Sequence, residues 1–155
     1  MSVETDQRFP LDLTVLDGDG SPVTVADLRG DARAVAMYFM RTGTCPVCLH
    51  HARALVRQDL LDQDVRPVVV VPGPPEHSAR VRRLVGDRAT VVSSAGAQAH
   101  QAGGLHRTLL LQHSGVVLVD AAGAVRYRLV SALPTGSFDG PALRAAVERL
   151  QDGRR

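Results

Sequence analysis

Both cysteines of the chain fall in one stretch, Arg41-Thr42-Gly43-Thr44-Cys45-Pro46-Val47-Cys48, with two residues between them. The residues before it, Ala34-Val35-Ala36-Met37-Tyr38-Phe39-Met40, form an apolar run without alternation. A run of that kind suits a central strand covered on both faces. The residues after it place Leu49, Ala52, Val56 and Leu60 on one helical stripe, with Arg53, Arg57 and Asp64 away from it, which predicts a helix to about Gln63. The pair therefore sits where a buried strand hands over to a helix. No other feature restricts the fold as much, because it demands a β-to-α junction with two thiols at its apex. A Cys-x-x-Cys pair in that setting points to redox chemistry.

The junction supplies the physical reason. The first turn of a helix leaves backbone N–H groups unpaired and carries a positive partial charge. A thiol placed there ionises more readily. Cys45 takes that position, and Cys48, within the first turn, can reach it to close a disulfide. Pro46 fits an early helical position, where a missing N–H costs nothing. Arg41 adds positive charge close by in the sequence. The Cys45 thiolate can attack a disulfide or a peroxide oxygen, giving a mixed disulfide or a sulfenic acid. Cys48 then resolves it to a Cys45–Cys48 disulfide, which an outside thiol reductant reopens.

A second class of function is metal binding. Zinc accepts Cys and His, and His50 and His51 follow the pair, so a metal-holding module would use Cys45, Cys48 and His51. Ordinary zinc spacing needs a second ligand pair further on, and there is no third cysteine. Neighbouring histidines on a helix also point about 100° apart. The expectation is no metal and no cofactor. A third class, a non-catalytic interaction domain, predicts that Cys45→Ser leaves function intact. The other histidines, His77, His100, His106 and His113, form no pattern and read as surface or loop residues.

Around this centre the chain reads as follows. Leu11, Leu13 and Val15 alternate with Asp12 and Thr14, Asp17 to Pro22 is a turn, and Val23 and Val25 return, so 11–25 is predicted as a hairpin. Val65 to Val71 is a second buried strand, ended by Pro72-Gly73-Pro74-Pro75. His77 to Val85 has helical spacing through Val81, Leu84 and Val85. Thr90 to Val92 is a short strand and 96–102 a short helix. Leu105 to Gln112 is ambiguous, with Leu109-Leu110-Leu111 buried in either state. Val116 to Val119 is a third buried strand, and after a turn at Asp120-Ala121-Ala122-Gly123 the alternation of Val125, Tyr127 and Leu129 predicts its antiparallel partner. Asp139 to Gln151 closes the chain as a helix, with Pro141 in its first turn and Leu143, Val147 and Leu150 as its buried stripe. The order is a hairpin, then β-α-β-α, then β-β-α. That is an α/β protein with a mixed central sheet flanked by helices and an N-terminal β-hairpin extension.

A length of 155 residues and an apolar share of 45% fit a single globular domain over 1–155, with 1–8 a loose, flexible end. The net charge is only +2, and Arg80, Arg82, Arg83 and Arg88 read as a solvated helix face, so no nucleic-acid partner is expected. No apolar run approaches the ~20 residues of a membrane span. Met1 to Arg8 is polar and acidic and lacks the layout of a signal peptide, which predicts a cytoplasmic location. Lys is absent, which removes Schiff-base chemistry.

From about Phe9 to Leu150 the chain resembles the AhpC/TSA–redoxin branch of the thioredoxin-like superfamily, the peroxiredoxin-like proteins. Phe9-Pro10-Leu11 with Asp17 to Gly30 is similar to the family's opening hairpin. Thr42-Gly43-Thr44-Cys45-Pro46 is similar to its T-x-x-C loop, and Val116 to Asp120, Gly123 and Val125-Arg126 to its late strand-turn-strand. The resemblance implies a thioredoxin-like fold, Cys45 as the peroxide-attacking thiol and Thr42 as the hydroxyl that contacts its thiolate. It implies an antioxidant enzyme that takes a peroxide or disulfide substrate and a reductant such as a thioredoxin-type protein, working as a monomer or homodimer. Two positions depart from the family pattern. Tyr38 stands where the family has a proline. Ser114, beside His113, stands where it carries the arginine that holds thiolate and peroxide, and Arg41 and Arg107 are the candidates to supply that charge. Gln112-His113-Ser114-Gly115 also lacks the proline that thiol oxidoreductases place beside their cysteine pair. Peroxide and protein disulfide both stay open as substrates.

Overall fold

The computed structural model describes residues 7–94, 96, 98–105, 107–108 and 111–152. Strands β1 (Thr14–Leu16) and β2 (Pro22–Thr24) form the opening hairpin, with Val15 opposite Val23. It is shorter than the 11–25 alternation predicts, because Val25 already belongs to helix α1 (Val25–Arg29). Thr24 caps that helix. Its hydroxyl accepts the N–H of Asp27, and the Asp27 carboxylate accepts the N–H of Thr24, so two backbone donors are satisfied reciprocally.

Strand β3 (Ala34–Phe39) leads into helix α2 (Pro46–Val56), followed by β4 (Val65–Pro72), α3 (Ser78–Val85), β5 (Thr90–Ser94) and α4 (Gln98–Ala102). A small ribbon of β6 (Arg107–Thr108) and β7 (Leu111–Gln112) precedes β8 (Ser114–Asp120), β9 (Val125–Ser131) and the closing helix α5 (Gly140–Asp152). The main sheet runs β2-β1-β5-β4-β3-β8-β9. Strands β3, β4 and β5 are parallel, and β8 is antiparallel to both β3 and β9. This is the mixed, helix-flanked sheet expected from the sequence.

Every residue of β3 is buried, as its lack of alternation requires. Its side chains divide between two cores. Ala34, Ala36 and Tyr38 join Leu49 and Leu55 of α2, Val81 of α3 and Leu143 of α5 on one face. Val35, Met37 and Phe39 join Phe9, Val25, Ala99 and Leu105 on the other. Tyr38 thus points to the side of the sheet on which α2 lies.

Several boundaries differ from expectation. Helix α2 stops at Val56, and a separate turn of 3-10 helix, Leu60–Gln63, lies between Asp59 and Asp64, both in the left-handed region. Its buried stripe is Cys48, Leu49, Ala52 and Leu55, so fully buried Leu55 replaces half-buried Val56 and contributes about 2 kcal/mol. In α3, Ser78, Val81 and Val85 face inward while Leu84 is exposed. Arg82 is not a solvated charge. Its guanidinium donates to the Val91 carbonyl at 2.9 Å and to the Ser78 hydroxyl at 3.2 Å. The ambiguous segment 105–112 contains the β6–β7 ribbon, and Leu109, Leu110 and His106 lie outside the described residues. Gln7 and Arg8, expected within a loose end, are tied down: the Gln7 carbonyl accepts the Val125 N–H and Arg8 bridges to Ala124. Residues 1–6 lie outside the described residues. Among the described residues no helix is long and apolar enough to cross a membrane.

Candidate active site at the β3–α2 junction

The cysteine stretch occupies the junction its sequence predicts. Met40 still pairs with the β4 carbonyl of Val70, residues 41–44 turn, and α2 begins at Pro46 in its first position. Gly43 permits the turn, since a Cβ there would stand 2.8 Å from the carbonyl oxygen of His77. Cys45 is the N-cap, in extended conformation, and its Sγ accepts the Cys48 N–H at 3.3 Å. A helix start ordinarily uses a Ser, Thr or Asp oxygen for that bond. Here the sulfur holds the place, so one otherwise unpaired donor of the helix end, the Cys48 N–H, points at the thiol.

Burial is the largest influence on Cys45 and by itself opposes ionisation. It is outweighed by donors: the Cys48 thiol, the Cys48 N–H and the Arg41 guanidinium all favour the thiolate, and Cys45 lies below the ordinary thiol range. Cys48 goes the other way. Burial pushes its thiol up, and donating to the Cys45 sulfur keeps its proton in place. The Cys48 Sγ also accepts the Arg41 N–H at 3.4 Å. Both residues are buried, Cys45 at 3% exposure and Cys48 at 0%.

Arg41 therefore supplies charge at Cys45, and its Nε is buried without a partner among the described residues. Ser114 is buried with its hydroxyl unpartnered among the described residues and brings no charge. The Arg107 side chain lies outside the described residues. The Thr42 hydroxyl accepts the Thr44 N–H at 3.3 Å and lies 3.3 Å from the Thr44 hydroxyl, on the exposed side of the loop. A cleft of about 660 Å³ opens beside this loop, lined by Arg41 to Thr44 together with His77 and Arg80.

Behind the pair lies a polar group that sequence reasoning did not assemble. The Tyr38 hydroxyl is 3.2 Å from His51 Nδ1 and 3.1 Å from Ser137 Oγ, and the last two are 3.2 Å apart. Phe138 stacks on the His51 ring at 5.6 Å. Tyr38 and Cys48 share one buried cluster. His51 is thus committed to hydroxyls, and among the described residues no three His, Cys, Asp or Glu side chains cluster as metal ligands. His100 corrects the expectation of a surface residue. It is buried against Phe39, with Nε2 2.9 Å from the Met40 carbonyl and Nδ1 3.5 Å from Ser94 Oγ. A one-turn helix has no periodicity from which to foresee this.

The sequence model of the AhpC/TSA family matches residues 5–128. A comparison with curated proteins finds no match. Among solved structures, the chain is similar to a peroxiredoxin-like protein from Aquifex aeolicus, with a TM-score of 0.79 at 18% identity over 97% of this chain and 89% of that one. It is similar to the peroxidoxin BcpB from Mycobacterium tuberculosis, with a TM-score of 0.71 at 18% identity over 96% and 99% of the two chains. It is also similar to a secreted Mycobacterium tuberculosis disulfide oxidoreductase homologous to E. coli DsbE, with a TM-score of 0.64 at 18% identity over 90% and 96%. At these identities the likeness is one of fold, and that fold is thioredoxin-like.

Proposed function

The chain belongs to the AhpC/TSA family and is an oxidoreductase, and from that premise we propose that it reduces peroxides through Cys45, with Cys48 as the resolving cysteine. The observation that carries this is Cys45 at the helix N-cap, its Sγ accepting the Cys48 N–H at 3.3 Å, with the Arg41 charge among the influences that hold it below the ordinary thiol range. A positive, donor-rich group there stabilises both the thiolate and the negative charge that develops on the departing oxygen.

The Cys45 thiolate attacks one peroxide oxygen. The S–O bond forms, the O–O bond breaks, and the other oxygen leaves with the electron pair and takes a proton, as water or an alcohol. Cys45 is then a sulfenic acid. Cys48 attacks the Cys45 sulfur, the S–S bond forms, and the sulfenic oxygen leaves as water. A thioredoxin-type thiol reductant reopens the disulfide. Thr42, which lines the cleft, is the hydroxyl proposed to meet the incoming substrate. The chain works as one redoxin domain over 1–155, in the cytoplasm, where the thiol pool keeps the pair reduced.

A second reading is a thiol-disulfide oxidoreductase acting on protein disulfides. It is favoured by the Cys-Pro-Val-Cys pair, with the Cys45 thiol held below the ordinary range and the Cys48 thiol above it. Stopped-flow mixing with micromolar hydrogen peroxide separates the two. Loss of free thiol within seconds, abolished in Cys45→Ser, is the expected result. Unchanged thiols together with rapid insulin reduction would favour the second reading. Because Cys45 titrates below the usual thiol value, the peroxide rate is expected to stay on its plateau as pH falls through about 8.5.

A further inference from the structure

Helices α2 and α3 follow the parallel strands β3 and β4 and cover the same face of the sheet. They pack side by side and start at the same end, where Arg80 of α3 lines the cleft with Thr42, Gly43 and Thr44. The outward stripe of α2 is Pro46, His50 and Arg53, continued by Arg57 at its C-cap. The outward positions of α3 are Arg80, Arg83 and Leu84. Neither helix contains Asp or Glu. Arg53, Arg57, Arg80 and Arg83 have no ion pair among the described residues. The nearest carboxylates in sequence are Asp59, held by Arg88 at 3.3 Å, Glu76 at the cleft and Asp87 beyond the far end of α3. Like charges three or four residues apart on a helix repel, so packing gives no reason to gather these arginines here. The net charge of the whole chain is only +2, so the concentration is local.

We propose that the outward face of α2 and α3 is the docking surface for the reductant, a protein whose dithiol is ringed by Asp and Glu. This docking rests on the Cys45–Cys48 disulfide of the reading above, and it holds for either substrate. The face starts at the reactive sulfur, since Cys45 is the N-cap of α2. Arg53 stands about 12 Å along the helix from Cys45, at 1.5 Å per residue, beyond the span of a small thiol. A protein surface can meet both the sulfur and the arginines at once. A membrane or a nucleic acid could pair with the charge but brings no thiol to the disulfide. Opposite charge across such a face speeds association and sets orientation. In the docked pair the partner's thiolate attacks the Cys45 sulfur. A new S–S bond forms, the Cys45–Cys48 bond breaks, and Cys48 leaves with the electron pair and takes a proton. The partner's second thiol, having lost its proton to solvent, attacks its own sulfur in the mixed disulfide and releases Cys45 as a thiolate. The partner ends as a disulfide, and this protein has gained two electrons.

The test uses the full chain oxidised with diamide to the Cys45–Cys48 disulfide. It is reduced by two synthetic Cys-Gly-Pro-Cys peptides, one flanked by glutamates and one by lysines, and by dithiothreitol. At low ionic strength the acidic peptide is expected to react about tenfold or more faster than the basic one, and added salt to close most of that gap. In the double variant Arg53→Glu/Arg83→Glu, with both positions outside the cleft lining, the acidic-peptide rate is expected to fall about tenfold. The dithiothreitol rate should stay within about twofold, which shows that the disulfide itself is undisturbed. Equal rates for the two peptides, or a double variant that behaves like the wild type, would overturn the docking surface alone. So would charge-independent peptide rates alongside salt-sensitive binding to phosphatidylglycerol vesicles or to a single-stranded oligonucleotide, which would assign the face to a membrane or a nucleic acid. Failure of diamide to join Cys45 to Cys48 would overturn the resolving role of Cys48 and the docking proposal with it. If the double variant does not fold, the peptide comparison and its salt dependence in the wild type decide.

Discussion

His51 and His100 are both buried, and they serve opposite faces of β3. On the α2 face, His51 meets the Tyr38 and Ser137 hydroxyls, next to the cysteine pair. On the other face, His100 meets the carbonyl of Met40 through Nε2. A carbonyl only accepts, so Nε2 must carry the proton and the ring is pinned as a neutral donor. A hydroxyl both donates and accepts, so His51 can exchange a proton through its neighbour. Burial drives His100 down to about 4, and it holds the backbone immediately before Arg41. The same residue type is 1% exposed and bound to a carbonyl on one side, and 9% exposed and bound to two hydroxyls on the other. What decides is the hydrogen-bonding capacity of the atom it faces.

Three substitutions would break or sharpen that contrast between reactive and bracing sides. Arg41→Met acts on the reactive side and carries the largest expected effect. Losing a charge-assisted donor at the thiolate should lower the peroxide rate constant by about 10–100-fold and raise the pH at which Cys45 alkylates, with stability nearly unchanged. Alkylation rate against pH checks it, and a profile like that of the wild type would remove Arg41 from the site.

His100→Leu acts on the brace. It orphans the buried Met40 carbonyl, at an expected cost of about 2 kcal/mol near neutral pH, read from urea unfolding. Its pH dependence has a definite sign. The folded ring stays neutral down to about 4, whereas the unfolded ring takes up a proton near the ordinary value of 6.5. The unfolded state therefore binds more protons in that window, and the His100 contribution is present above it and lost as pH falls through it. The variant should show a flatter decline in stability from about pH 6.5 to 4 than the wild type. An equal slope would place the ring in a charged state.

Thr42→Val is the smallest. Its hydroxyl is spent on Thr44 and is exposed, so a loss of no more than about fivefold in peroxide rate is expected. An unchanged rate would remove the Thr42 hydroxyl from substrate contact.

Much of this was legible in the linear chain. The β3 run, the Cys45 cap position and the Pro46 start are local patterns, set by side-chain period and by the chemistry of a helix end. The hairpin and the β8–β9 pair follow from alternation and turn residues. The errors have local causes too. Asp59 and Asp64 adopt left-handed conformations that end the helix early, and the Thr24–Asp27 capping box turns a predicted strand end into a helix start.

What the sequence by itself determined is the place of the cysteine pair at the head of a helix and the family to which the chain belongs. Each of these depends on residues within a turn or two of one another, or on the order of elements along the chain. The tertiary structure decided which side chains surround the cysteine pair. Tyr38 meets a serine 99 residues away, and His100 braces a carbonyl 60 residues away. Such contacts exist only once the sheet has brought distant segments together, and no periodicity encodes them. Two sequence departures take their meaning from that packing. Tyr38, in place of a proline, carries a hydroxyl into the core, where it meets His51 and Ser137. Ser114, in place of an arginine, leaves the charge to be supplied from Arg41 at the start of the loop.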